Sequence, residues 1–293
     1  MKRTSIYLCT AAALLALAGC NKENAGGQGE PIPMAVEVAL DGTKAGLTTA
    51  DLTDFYLQVS CSDAVYSYFV HVTKATDGSW LPDQPMFWRD ETTPVTYCGA
   101  VVSAHTFTQD EFANGVDLSV PAAQTDATVL SANDLLLVQP ATTKFTDTVG
   151  GKLTIELTHA LSILRFELTL GEKFFDRAIG LTDSPVTNLK LSSMPLTCHF
   201  TPSAGTVTPV SGSEADITPC LSAYTPGTAT EKAAKAVYEA LVVPGTYAAG
   251  ALTLSFKIGD GEYTWTNNQS VVLASGQSAK LPVSVSTAPP VSD

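Results

Sequence analysis

The chain has 293 residues, 45% of them hydrophobic, and sets 29 Asp and Glu against 16 Lys and Arg for a formal net charge of −13. So acidic a surface repels phosphate backbones and excludes nucleic acid as a partner. Beyond residues 6–18 there is no long apolar run, so no bilayer-spanning helix of ~20 apolar residues is expected.

Lys2-Arg3 is followed by an apolar stretch from Ile6 to Ala18 and by Leu17-Ala18-Gly19-Cys20. A basic start, a short apolar run and small residues at a cleavage point are the pattern of a secretory signal. The cysteine directly after the small pair is similar to a bacterial lipobox. Residues 1–19 are therefore expected to be removed, leaving 20–293 with a diacylglycerol on Cys20. Each buried methylene of such chains contributes ~0.8 kcal/mol, so multiple acyl chains anchor a protein firmly. Losing Lys2 and Arg3 leaves 14 basic against 29 acidic side chains, a net charge near −15. Asn21 to Gly29 is polar and Gly-rich, and residues 20–32 read as a flexible tether. Lys22-Glu23 weakly resembles the short charged signal that sends lipoproteins to the outer face of the outer membrane.

Past the tether the pattern is β nearly throughout. Apolar residues alternate at Met34, Val36, Val38 and Leu40, then at Phe55, Leu57, Val59 and Cys61, then at Tyr66, Tyr68, Val70 and Val72. Val116, Leu118 and Val120 follow, then Leu153, Ile155 and Leu157, then Phe166, Leu168 and Leu170. Leu252, Leu254, Phe256 and Ile258 come next, and Leu281, Val283 and Val285 close the series. Period-two alternation over runs this short predicts strands with one buried face. Between Lys152 and Leu170 the apolar set moves from odd numbers to even ones. One strand cannot hold both sets on one face, so a bulge or break is expected near Ser162. Thr230 to Leu241 is the one helical candidate, expected as a short helical turn feeding a strand. Gly259-Asp260-Gly261 reads as a hairpin turn. The fold class is all-β, as β-sandwiches, with one domain over 33–150 and a second over 151–293, divided near Gly150-Gly151.

Four cysteines follow the signal: Cys61, Cys98, Cys198 and Cys220. In an exported chain they can oxidise, with three pairings open, of which Cys198–Cys220 would close a local loop. There is no Cys-x-x-Cys and the four histidines are scattered, so no metal or other cofactor is expected. No Gly-x-Ser-x-Gly elbow, phosphate loop or His-Glu-x-x-His motif occurs. Asp51 and Asp54 read as a turn before the Phe55 strand, and His159 as a structural histidine. Trp80, Trp88 and Trp265 read as core residues that would stack on sugar rings if exposed. The chain is not expected to be an enzyme.

Asn133-Asp134-Leu135-Leu136-Leu137, followed after about twenty residues by the strand ending His159-Ala160-Leu161-Ser162, resembles the fimbrillin family. Gly42-Thr43-Lys44-Ala45, the aromatic stretch Trp80, Phe87 and Trp88 before Val95 to Val102, and Leu241-Val242-Val243-Pro244 before the last strands match that family in the same order. The resemblance implies two tandem transthyretin-like β-sandwiches, export as a lipoprotein, and a role as a shaft, anchor or tip subunit of cell-surface pili. In shaft subunits of the family a trypsin-like protease cuts after a basic residue, removes the first strand and opens a groove for a neighbour's strand. Lys44-Ala45 is the position here that matches such a cut. No arginine lies between Cys20 and Trp88, so an arginine-specific protease has no site there. Pro282 inside the last strand and Pro289-Pro290 beyond it make a poor donor strand. The expected function is thus a lipid-anchored pilus subunit on the outer membrane surface, an anchor, tip or accessory more than a shaft piece. It would partner other subunits by strand exchange and act in adhesion. The alternative is a carbohydrate-binding surface lipoprotein serving nutrient uptake.

Overall fold

The computed structural model describes residues 31–40, 52–171, 174 and 182–285. Cys20, Lys44, Ala45, Asp51 and Pro289-Pro290 lie outside the described residues. In chain order the first half runs β1 (Ile32–Pro33), β2 (Ala35–Leu40), β3 (Asp54–Cys61), β4 (Tyr68–Lys74), β5 (Trp80–Pro82), β6 (Phe87–Trp88) and β7 (Val95–Val101). Two short helices, α1 (Gln109–Asn114) and α2 (Ala127–Ala132), flank β8 (Val116–Ser119), and β9 (Leu136–Thr143) and β10 (Lys152–His159) complete it.

Seven of these strands close on themselves in the order β10-β2-β5-β4-β3-β7-β9. The alternation read in the sequence sets the interior: Phe55, Leu57, Val59, Val70, Val72 and Ile155 are fully buried and share one core. The all-β class holds. The first half departs from an open sandwich in being closed, and the closing step is a single residue pair, Val36↔Trp80, between β2 and β5.

The break expected near Ser162 is a change of sheet. β10 ends at His159 and belongs to the first sheet; Ala160 and Leu161 carry the chain across; β11 (Ser162–Leu170) begins the second half. The passage between the two sheet systems falls after β10, a short way beyond Gly150-Gly151. The second half continues with β12 (Val186–Pro195), β13 (Thr197–Thr201), β14 (Thr206–Pro209), β15 (Glu214–Ile217), β16 (Cys220–Thr225) and β17 (Ala234–Val242). Then come β18 (Gly245–Tyr247), β19 (Thr253–Ile258), β20 (Gly261–Thr266), β21 (Val271–Leu273) and β22 (Ser278–Val285). Two four-stranded sheets, β16-β17-β11-β22 and β15-β12-β19-β20, bury a common core that includes Phe166, Leu168, Leu191, Leu254 and Phe256.

The helical turn expected at Thr230 is absent. Residues 228–231 close a loop, with the Thr228 N–H donating to the Glu231 carbonyl at 2.7 Å and the Glu231 N–H to the Thr228 hydroxyl at 2.9 Å. From Ala234 the chain is a strand paired on one side with β11 and on the other with β16. Neighbours on both sides override a weak local preference for helix. The hairpin at Gly259-Asp260 is present: Ile258 pairs with Gly261, and Gly259 sits at φ 58°, where glycine has no steric cost.

β8 leaves the first half to pair with β13 of the second, His199 facing Asp117. Under that pairing lies a third core, with Phe107, Phe112, Leu135, Leu137, Leu161 and Phe200 among its members. It buries the outer wall of β7 and β9, which explains the continuous run Leu135 to Val138, each residue 2% exposed or less. A strand covered on both faces reads as an unbroken apolar run rather than an alternation.

Candidate functional site

The first long strand is held mainly from one side. β2 lies parallel to β10 from Lys152↔Ala35 to Leu157↔Leu40, yet its other side meets β5 at one pair. Val36 and the preceding Met34 are buried in the barrel core. Burying two such side chains contributes about 3–6 kcal/mol. Removing this segment would expose that core and leave β10 with a row of unpaired main-chain groups. Such an edge is a template for another strand. The Lys44-Ala45 bond follows β2 in sequence.

A second feature ties the start of β9 to the end of β10. The Asp134 carboxylate, just ahead of β9, accepts a 2.6 Å hydrogen bond from Nδ1 of His159 at the end of β10, and the two side chains are 4% and 6% exposed. The two motifs that are separated by about twenty residues in sequence thus meet through their polar members. Gln124 is fully buried and works as a clasp. Its amide donates to the Leu241 and Pro121 carbonyls at 2.8 and 3.0 Å, and its oxygen accepts from the Leu241 N–H at 2.7 Å. The remaining histidines are also paired with carboxylates: His71 with Asp54 at 3.1 Å, His105 with Glu111 at 3.1 Å and His199 with Asp117 at 2.8 Å. Asp54 opens β3 and is not in a turn before it. Among the described residues no group of three or more His, Cys, Asp or Glu is placed to hold a metal ion.

Cys98, Cys198 and Cys220 lie in the third core, and all four described cysteines are free in the structure. The Cys198–Cys220 bridge is accordingly not formed in it. Burial pushes the Cys98 and Cys198 thiols up to about 11, so they are inert as nucleophiles at neutral pH. Among the tryptophans, Trp88 is fully buried, its indole N–H donating to the Gly151 carbonyl at 2.9 Å, whereas Trp80 and Trp265 are half-buried.

The motif order that this geometry ties together is that of a family. The model of the fimbrillin-like family matches residues 39–292. The chain belongs to the fimbrillin-like family. Two solved structures share its fold, both described as putative cell adhesion proteins. One, from Bacteroides uniformis, has 15% identity and a TM-score of 0.58 over 87% of this chain and 93% of its own. The other, from Bacteroides ovatus, has 12% identity and a TM-score of 0.59 over 88% of this chain and 92% of its own. Among curated proteins none matches. Among the described residues no helix of this fimbrillin-like chain is long and apolar enough to cross a membrane.

Two elements of the fimbrillin-like fold escaped the reading of the sequence though one carried a signal. Thr108-Gln109-Asp110-Glu111 is a capping box, with Thr108 Oγ1 accepting from the Glu111 N–H and the Glu111 carboxylate accepting from the Thr108 N–H at 2.8 Å. Thr-x-x-Glu is the signature of a helix start. The parallel β2–β10 pairing had no local signal, because its partners lie more than a hundred residues apart.

Proposed function

We propose that the chain is a lipid-anchored, cell-surface fimbrillin-like subunit that engages neighbours by strand addition and acts in adhesion, as an anchor, tip or accessory piece. The observation that carries this reading is β2, a strand aligned with β10 over its whole length and closed onto β5 by one pair. A cut after Lys44 would free residues 20–44, including β2 and the lipid on Cys20. Without the cut, β2 stays in place and Cys20 remains the foot of the protein. β22 favours the second state. It is engaged along β11 from Ile163↔Ser278 to Leu170↔Val285, and Pro282 within it supplies no ladder donor. Adhesion is the role that the two structural neighbours are described with, and membership of a fimbrillin-like family accords with a place among pilus subunits on the cell surface.

Trypsin applied to the exported, purified protein tests the assignment, read by mass and by native electrophoresis. An accessory subunit yields no oligomers, with or without a cut at Lys44. A ladder of oligomers after that cut makes the chain a shaft subunit and overturns the accessory role. A Cys20→Ser variant that stays in the membrane fraction overturns the lipid anchor.

A further inference from the structure

A groove of about 360 Å³ opens on the flank of the second half, where the ends of β20 and β21 approach β22. Trp265, Asn268, Gln269, Ser270, Leu281 and Pro282 line it, and none of its lining residues carries a charge. On a chain with a net charge of −13 that is a distinguishing property. The hollow beside β3 and β4 contains Asp54, His71 and His105, and the one on the outer face of β19 and β20 contains Lys190, Lys257 and Glu262.

Trp265 is half-buried, with Phe166 against it edge-to-face at 6.0 Å and 79°. Its indole N–H has no protein partner, and neither do the side chains of Thr266, Asn268, Gln269 and Ser270, which are exposed. Asn267, by contrast, is 5% exposed and fully engaged. Its oxygen accepts from the Leu252 N–H at 2.8 Å, and its amide donates to the Ala248 and Gln269 carbonyls at 2.8 and 2.7 Å. The loop that presents the free amides and hydroxyls is therefore held in shape before any ligand arrives, which lowers the ordering cost of binding.

An aromatic ring beside apolar Leu281 and Pro282, ringed by uncharged donors and acceptors, matches a ring with C–H faces and hydroxyl edges. The size falls within the range of small-molecule sites, ~300–1,000 Å³. An added β-strand fits worse, since Pro282 interrupts the donor row of the β22 edge. An acidic or cationic ligand finds no counter-charge. We infer that this groove is a subsite for a neutral saccharide unit of a polysaccharide, with Trp265 as its platform and Asn268, Gln269 and Ser270 as its polar readers. The inference rests on the adhesion part of the reading above and not on polymerisation, so the trypsin experiment and the one below can fail separately.

Affinity electrophoresis of the full mature chain through gels containing dextran, mannan, xylan, galactomannan or polygalacturonate tests it. Retardation is expected in at least one neutral gel and none in polygalacturonate. Trp265→Ala should weaken it tenfold or more. Because Trp265 also packs on Phe166, Asn268→Ala/Gln269→Ala, which truncates two exposed side chains, serves as the second variant and should weaken it about threefold to tenfold. No retardation in any neutral gel overturns the inference. So does retardation that both variants retain, or retardation by polygalacturonate alone.

Discussion

Asp134→Ala isolates the contact that joins the two motif segments. His159 makes one side-chain hydrogen bond, to Asp134, and its Nε2 is buried with no partner. Removing the carboxylate leaves both ring nitrogens of a 7% exposed histidine unsatisfied. Breaking a buried ion pair by deleting one member costs about 3–5 kcal/mol, and orphaning a neutral buried polar group about 1–3 kcal/mol. A loss of about 3 kcal/mol is expected. With a urea slope of about 3 kcal/mol per M, the unfolding midpoint falls by about 1 M. Substituting both members with apolar residues removes the orphan as well as the bond, and such replacements are commonly near neutral. Asp134→Leu/His159→Leu should therefore recover most of the loss. An Asp134→Ala variant that loses less than about 1 kcal/mol, or a double variant no more stable than the single one, would refute the reasoning.

Three further outcomes follow from the packing. In a chain starting after Cys20, a thiol reagent at pH 8 should modify half-buried Cys61 quickly and Cys98, Cys198 and Cys220 only after unfolding in urea; a denatured count of two thiols instead of four would show one disulfide, and a disulfide-linked peptide in a non-reduced digest would show whether it joins Cys198 to Cys220. Gly115→Ala should cost about 1–3 kcal/mol, since Gly115 has φ 83° and a Cβ there would collide with His199 Nε2 and lie 2.7 Å from Thr201 Oγ1. Gly78→Ala, at φ 87° with nothing within 4 Å, should cost less; equal losses in thermal unfolding would show that the β8–β13 seam is not tight. At Glu111, burial alone would raise the carboxyl, but hydrogen bonds from the Thr108 N–H, the Thr108 hydroxyl and His105 outweigh it and hold the carboxyl below its usual range. A depressed folded value means the contribution is present above the unfolded value of ~4.3 and is lost as pH falls through the folded one. The thermal midpoint of the parent chain should thus drop more between pH 6 and 3 than that of Glu111→Gln, and parallel curves would remove Glu111 from the acid response.

What could be read from residues alone follows the range of the forces involved. The strands around Phe55 and Leu254 and the Gly259-Asp260 turn depend on alternation and on one glycine's freedom, both local, and they appear as read. So does the break at Ala160-Leu161, because a parity change in the apolar set is itself a local record of a change of face. The Ala234–Val242 strand was obscured by Glu231, Lys232, Lys235 and Glu239, whose spacing also suits a helix. Two flanking strands from distant sequence decided it. The pairing of β8 with β13 and of β2 with β10 left no mark that a short window can hold. The site divides the same way: the Asp134 and His159 motifs were visible, while their contact was not.

That division bears on what the motifs are for. Asp134 and His159 sit at the seam between β9, β10 and the chain's passage into the second half, both side chains buried, and the run Leu135 to Val138 is covered on both faces. Residues that make the chain recognisable as fimbrillin-like therefore act on architecture: they fix the end of β10. Because β2 is aligned on β10 residue by residue, fixing β10 also fixes the register at which β2 docks. Destabilising the Asp134–His159 contact should then loosen β2 before it unfolds any of the three cores.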